Sequence, residues 1–138
     1  MKKYIIDTNC LISYVTDRNI KQQSAIAKYF ELAFHYDIEL IVISNVITEF
    51  AHVLTNIYSL TPDNVNTIIV DLLETPGIEF EPGYIPKKLF QLWPSKIKNY
   101  GDAVLGAFGE YSKIEILTFD LSFSKELKKL DLEVNIPR

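Results

Sequence analysis

Four acidic side chains stand where strands give way to helices. Asp7 ends the apolar run Tyr4-Ile5-Ile6 and opens Asp7-Thr8-Asn9, and Glu49 lies a few residues past the apolar run 40–43. Asp102 heads a run of helical spacing, and Asp120 closes Thr118-Phe119-Asp120 after a third apolar run. Any one of them alone reads most simply as a solvated cap at a turn or helix start. Asp7 and Asp120, however, each end a segment that should be buried, and a buried carboxylate needs a partner. Asp102 has no Lys or Arg within five residues on its C-terminal side, and the nearest on the other is Lys98. Like charges that converge raise one another's pKa unless a cation is bound. Hard oxygen donors, a single cysteine and two poorly placed histidines point to Mg²⁺ or Mn²⁺ rather than zinc. The four acids equal the whole formal net charge of −4, so that charge could be a metal site.

The elements that must position these acids alternate regularly. Residues 3–7 read as a short buried strand and residues 9–15 as a helix, and Ile26, Tyr29, Phe30 and Ala33 recur at helical spacing within 22–36. Leu40-Ile41-Val42-Ile43 centres a strand at 39–44 that is buried on both faces. Ser44 or Asn45 can cap the next helix, whose apolar stripe is Val46, Ile47, Phe50, Val53, Leu54 and Ile57. Thr61-Pro62-Asp63 is a helix-start signal, and Pro76-Gly77 ends that helix before a strand at 78–81. A helix over 85–93 ends at Pro94, another starts near Gly101, and 114–119, 122–130 and 132–135 read as strand, helix and strand. Gly106 and Gly109 fall inside a helix, so they read as close-packing residues rather than a phosphate loop. The expectation is an α/β fold, a three-layer α/β/α sandwich with a mostly parallel central sheet, in one domain spanning residues 1–138. In such sheets function gathers beyond the carboxyl ends of the strands.

Composition agrees with an ordinary globular chain: 138 residues, 48% hydrophobic and 23% charged. That excludes collagen-like, coiled-coil and disordered classes. No stretch approaches the roughly 18 apolar residues of a membrane span, and the opening apolar run meets Asp7 too early for a signal peptide. Cys10 is the only cysteine, so no internal disulfide forms and a reducing, cytoplasmic setting is expected. The charge is unevenly spread. Residues 29–86 hold nine acids and no Lys or Arg, whereas 1–28 and 87–129 are each net +3. A polyanion could therefore bind the outer segments although the whole chain is acidic.

Taken together, Asp7-Thr8-Asn9 after an N-terminal strand, Glu49 early on the helix after the second strand, Asp102-Ala103-Val104-Leu105-Gly106-Ala107 opening a helix, and Thr118-Phe119-Asp120-Leu121-Ser122-Phe123 after a strand resemble the four signature blocks of PIN-domain ribonucleases. The chain is similar to the VapC-type toxins of toxin–antitoxin modules, in the right order over nearly its whole length. The resemblance implies metal-dependent hydrolysis of RNA, with Asp7, Glu49, Asp102 and Asp120 as catalytic carboxylates holding one or two Mg²⁺ or Mn²⁺ ions. It also implies Thr8, Asn9 and Thr118 as groups that orient carboxylates or waters, a homodimer, and neutralisation by a small antitoxin. The acid-rich middle of the chain leaves a surface for such basic partners. Many relatives carry a further acid two residues past the position of Asp120; here Ser122 stands there and can cap the following helix.

Trp93-Pro94-Ser95-Lys96-Ile97-Lys98-Asn99-Tyr100 interleaves aromatic and basic residues just before Asp102, a pattern suited to single-stranded RNA. Lys96 and Lys98 are candidate substrate contacts; Trp93 reads as core, and Lys125, Lys128 and Lys129 as a solvated face on the same positive side. His52 follows Glu49 by three residues, about 60° away on one helix; if it acts, it contacts substrate rather than metal. His35 reads as surface. A phosphoaspartyl enzyme of the haloacid dehalogenase type would need an acid where Asn9 stands, and a receiver domain a lysine that Lys125 does not match. The alternative of another class is a non-catalytic PIN-fold RNA-binding or scaffold protein, against which the four intact acids argue.

Overall fold

A computed structural model describes Met1–Arg138. Five strands and seven helices follow in the order β1 (Lys2–Ile6), α1 (Thr8–Val15), α2 (Ile20–Phe34), β2 (Ile38–Ile43), α3 (Ser44–Asn56), α4 (Pro62–Glu74), β3 (Ile78–Glu81), α5 (Pro86–Leu92), α6 (Tyr100–Ser112), β4 (Glu115–Leu117), α7 (Leu121–Lys129) and β5 (Val134–Asn135). All neighbours in the sheet are parallel, in the order β3-β2-β1-β4-β5. The chain steps outward from β1 to β2 and β3, then crosses to the other side of β1 for β4 and β5. Right-handed crossovers in two directions put helices on both faces of the sheet, giving the three-layer α/β/α sandwich. The strand order reverses between β1 and β4, and the crevice beyond their carboxyl ends is the place such sheets use for ligands.

The central strands are apolar because both their faces are covered. Ile5, Ile6, Leu40, Val42, Ile43, Ile116 and Leu117 are fully buried in one continuous cluster of 31 core residues. Phe50 and Leu54 from α3 and Phe123 and Leu127 from α7 complete it from the helices. Gly106 and Gly109 are close-packing positions: a Cβ would lie 2.7 Å from Ile97 Cδ1 and 2.8 Å from Ile116 Cδ1, respectively. No helix is long and apolar enough to cross a membrane.

Several boundaries differ from the sequence reading for local reasons. The second helix starts at Ile20 rather than 22 because the Asn19 side chain accepts from Gln22 N at 3.0 Å and caps it. Neither Ser44 nor Asn45 caps α3: β2 runs straight into it, Ile43 takes the cap position without a side-chain bond, and Ser44 N donates to Pro82 O. Ser122 does not cap α7 either, since Asp120 Oδ1 accepts from Phe123 N at 3.0 Å. The fourth strand ends at Leu117 because the Thr118 hydroxyl accepts from Asp120 N at 3.0 Å and turns the chain.

Gly77 joins α4 to β3 in the left-handed region, with φ +81°, and a Cβ there would run into the Ala33 carbonyl oxygen. The Gly77→Ala variant is therefore expected to lose on the order of 3 kcal/mol from combined strain and clash. A urea melt checks this through its midpoint; an unchanged midpoint would mean that the turn can rearrange freely.

Candidate active site

The last rungs of β1 and β4 deliver the first acid. Asp7 N donates to Leu117 O at 2.9 Å, which holds Asp7 at the sheet edge in the cap position of α1. Its carboxylate is only 6% exposed and receives three donors. Thr8 N reaches Oδ1 at 2.7 Å, while Asn9 Nδ2 at 3.1 Å and Thr118 Oγ1 at 2.8 Å reach Oδ2. Thr118, fully buried, spends its one proton on Asp7 and accepts from Asn9 Nδ2 and Asp120 N. Asn9 closes the net by accepting from Phe119 N at 2.9 Å. The first and fourth strand ends are thereby locked to each other through side chains, which fixes the direction of the Asp7 carboxylate.

The other three acids lie around it. Glu49 sits on α3 between the buried anchors Val46 and Phe50, at the exposed rim, and its Oε2 accepts from Thr8 Oγ1 at 3.1 Å. Asp102 occupies the first turn of α6, where Asn99 caps the helix by accepting from Asp102 N at 3.0 Å. Asp120 caps α7. Both Asp102 and Asp120 thus stand at helix N-termini.

No cation answers this charge. The chain's four ion pairs involve only Lys2, Lys3 and Lys88, all away from the four acids. Burial pushes the Asp7 carboxyl up to about 6, and the charges of Glu49 and Asp120 push in the same direction against its hydrogen bonds to Thr118 and Thr8. Burial also pushes Asp102 up to about 7, with Asp7, Asp120, Glu49 and Glu126 adding repulsion. The structure therefore brings Asp7, Glu49, Asp102 and Asp120 within one another's field, although no three His, Cys, Asp or Glu side chains have closed on a common point at metal-ligating separation. Carboxylate oxygens near one another and outside any ion pair are the donor chemistry of Mg²⁺ and Mn²⁺ sites. Asp7, Glu49, Asp102 and Asp120 are the residues that could hold such an ion.

The remaining candidates divide. Thr8, Asn9 and Thr118 all bond directly to the acids, as described. Lys96 and Lys98 are exposed and line a groove with Lys125 and Lys129. Trp93 is half-buried, its Nε1 donating to Lys98 O at 3.1 Å, with the exposed Tyr100 edge-on to it at 5.2 Å. His52 is exposed, its Nδ1 bonds to Asn56 Nδ2 at 3.0 Å, and none of the hydrogen bonds among the acids reaches it.

Glu126 is a site neighbour that the sequence does not single out. Its charge acts on Asp102, and its Oε2 accepts from Lys98 N at 3.1 Å. The available signal is its position one helical turn after Ser122, on the same side of α7.

Residues 4–126 match the PIN domain family. Solved structures with the same fold include VapBC2 from Rickettsia felis bound to a promoter DNA fragment, at 13% identity, TM-score 0.71 and 99% coverage of both chains. VapBC-1 from nontypeable Haemophilus influenzae is 15% identical, with a TM-score of 0.70 and 97% of each chain covered. The Mycobacterium tuberculosis sarcin–ricin loop cleaving toxin VapC20 is 13% identical, with a TM-score of 0.64 over 88% of this chain and 93% of that one. No curated protein matches by sequence. The match to the family model runs over nearly the whole chain, so the chain belongs to the PIN domain family.

Proposed function

We propose that the protein is a Mg²⁺- or Mn²⁺-dependent ribonuclease that hydrolyses RNA phosphodiester bonds, and that it is the toxin of a toxin–antitoxin pair. The observation that carries this reading is the set of four carboxylates gathered around the β1/β4 edge with none of them in an ion pair. A bound divalent ion supplies a water of lowered pKa and charge neutralisation at the phosphate.

The chain's own residues do the rest. Asp7, held by three donors, is the fixed member against which the phosphate is placed. Thr118 and Asn9 keep its oxygens from turning, and Thr8 draws Glu49 toward the same edge. Asp102 and Asp120 approach from two helix starts, so substrate geometry is set by packed elements rather than mobile loops. Attack on phosphorus with departure of the 3′ oxygen leaves a 5′-phosphate and a 3′-hydroxyl. Like the VapBC assemblies among its structural neighbours, the protein pairs with a small antitoxin, and we include a homodimer and a cytoplasmic setting, with Cys10 a buried free thiol, in the same proposal.

The test is incubation of the purified protein with a labelled single-stranded RNA and millimolar Mn²⁺. Fragments carrying 5′-phosphates are expected, together with complete loss of cleavage in excess EDTA. Cleavage that persists in EDTA, or that leaves cyclic phosphates, would remove the metal-dependent reading.

A further inference from the structure

A groove of about 620 Å³ opens between residues 95–98 and one side of α7, the helix that Asp120 caps. Ser95, Lys96, Lys98, Ser122, Lys125, Glu126 and Lys129 supply all but one of its lining residues. Four lysines separated by up to 33 positions in sequence thus share one concave surface. None of the four is in an ion pair. The single acid inside the groove, Glu126, is turned to the Lys98 backbone N–H. Four uncompensated ammonium groups facing a common space repel one another, and a polyanion relieves that repulsion.

The groove is also aimed. Its Ser122 end lies two residues past Asp120, and Glu126 within it acts on Asp102. From Ser122 to Lys129 the wall runs about 10 Å along α7, away from the acids. A cavity of this volume is the size of a small-ligand site. The half-buried Trp93 braces the groove from behind, its Nε1 donating to Lys98 O at 3.1 Å.

We propose that this groove carries the phosphate backbone of one arm of a single-stranded RNA as it leaves the acidic edge, with Lys125 and Lys129 joining Lys96 and Lys98 as the contacts. The proposal rests on the ribonuclease reading for the identity of the strand, and its test separates the two. Binding of a fluorescein-labelled single-stranded RNA of about a dozen nucleotides is followed by anisotropy in EDTA across a series of salt concentrations. The wild type is compared with Lys125→Ala/Lys129→Ala and with Lys87→Ala/Lys128→Ala, two exposed lysines outside the groove.

The groove pair is expected to weaken binding at least tenfold at low salt. It should also flatten the slope of log affinity against log salt by about 1.4, that is about 0.7 for each phosphate of a single strand that is no longer neutralised. The control pair should change affinity less than twofold. Equal losses in the two pairs, an unchanged slope, or no salt-dependent binding by the wild type would overturn the proposal. So would equal or tighter binding of the same sequence as a duplex, or of poly-glutamate, which would assign the groove to double-stranded nucleic acid or to an acidic protein segment. Cleavage with Mn²⁺ is measured in parallel. Lysine-dependent binding without any cleavage by the wild type would keep the groove and remove the ribonuclease. Unaltered cleavage and binding in the groove pair would do the reverse.

Discussion

Asp7→Asn is expected to lower RNA cleavage by on the order of 10³-fold or more, about 4 kcal/mol of lost transition-state stabilisation, while the protein remains folded. Asp7 is the acid with the least freedom. It is buried, three donors hold its two oxygens, and those donors come from both α1 and the end of β4. An amide has one acceptor oxygen, so it can serve Thr8 N or the Asn9–Thr118 pair but not both, and its NH₂ must face a donor. One hydrogen bond is lost, costing on the order of 1 kcal/mol. Removing a buried charge that burial and its neighbours disfavour offsets that loss. Folding should therefore survive while the anionic oxygen needed at the edge does not. The measurement is single-turnover cleavage in saturating Mn²⁺ beside a circular-dichroism melt. Cleavage within tenfold of wild type, with a normal melt, would place the chemistry elsewhere.

How much of this site is legible in the sequence depends on how local its cause is. Asp7 and Asp120 can be read because each follows an apolar strand, Asp7 at once and Asp120 three residues on, and each caps the helix that comes next. Glu49 can be read from the apolar stripe of α3, which buries Val46 and Phe50 and leaves position 49 on the rim. The parallel sheet follows from the alternation of strands and helices. The groove lysines are not legible as a group. Lys125 and Lys129 look like any solvated helix face until Glu126 bonds to Lys98 N and brings α7 against the 95–98 segment, a bond across 28 residues. The caps of α3 and α7 mislead for a related reason. Ser44, Asn45 and Ser122 have the chemistry of caps, but β2 entering α3 without a turn, and Asp120 reaching Phe123 N first, leave them no helix end to satisfy. Glu126 escapes a sequence reading because only tertiary packing lets its charge act on Asp102.

The same crowding of charge predicts an inverted pH dependence of stability in the protein stripped of metal. Asp7 is raised from 3.8 to about 6 and Asp102 from 3.8 to about 7 in the folded state. Between pH 4 and 7 the folded chain therefore binds more protons at these two groups than the unfolded chain does, so their contribution to stability falls as pH rises through that window. At about 1.4 kcal/mol per pKa unit, Asp7 accounts for about 3 kcal/mol. Asp102, more open to water, contributes on the order of 1 kcal/mol after solvent screening. More than half of the Asp7 contribution is already lost by pH 5, so in EDTA the melting temperature should be about 5 °C lower at pH 8 than at pH 5. Millimolar Mn²⁺ at pH 8 should recover much of that loss by binding only the folded state, and should do little at pH 5, where protons already occupy the carboxylates. Asp102→Asn separates this cause from acid effects elsewhere. The side chain of Asp102 makes no hydrogen bond that an amide would forfeit, and its removal relieves the repulsion on Asp7. The variant should melt higher than wild type at pH 8 in EDTA, show a flatter pH profile, and respond only weakly to Mn²⁺. A wild-type melting temperature that stays level or rises from pH 5 to pH 8 in EDTA would contradict the charge argument. An Mn²⁺ response as large in Asp102→Asn as in the wild type would show that the ion binds without this carboxylate. If both expectations hold, the acids that weaken the empty fold at neutral pH are the ones that bind the ion, and stability has been exchanged for metal affinity at one edge of the sheet.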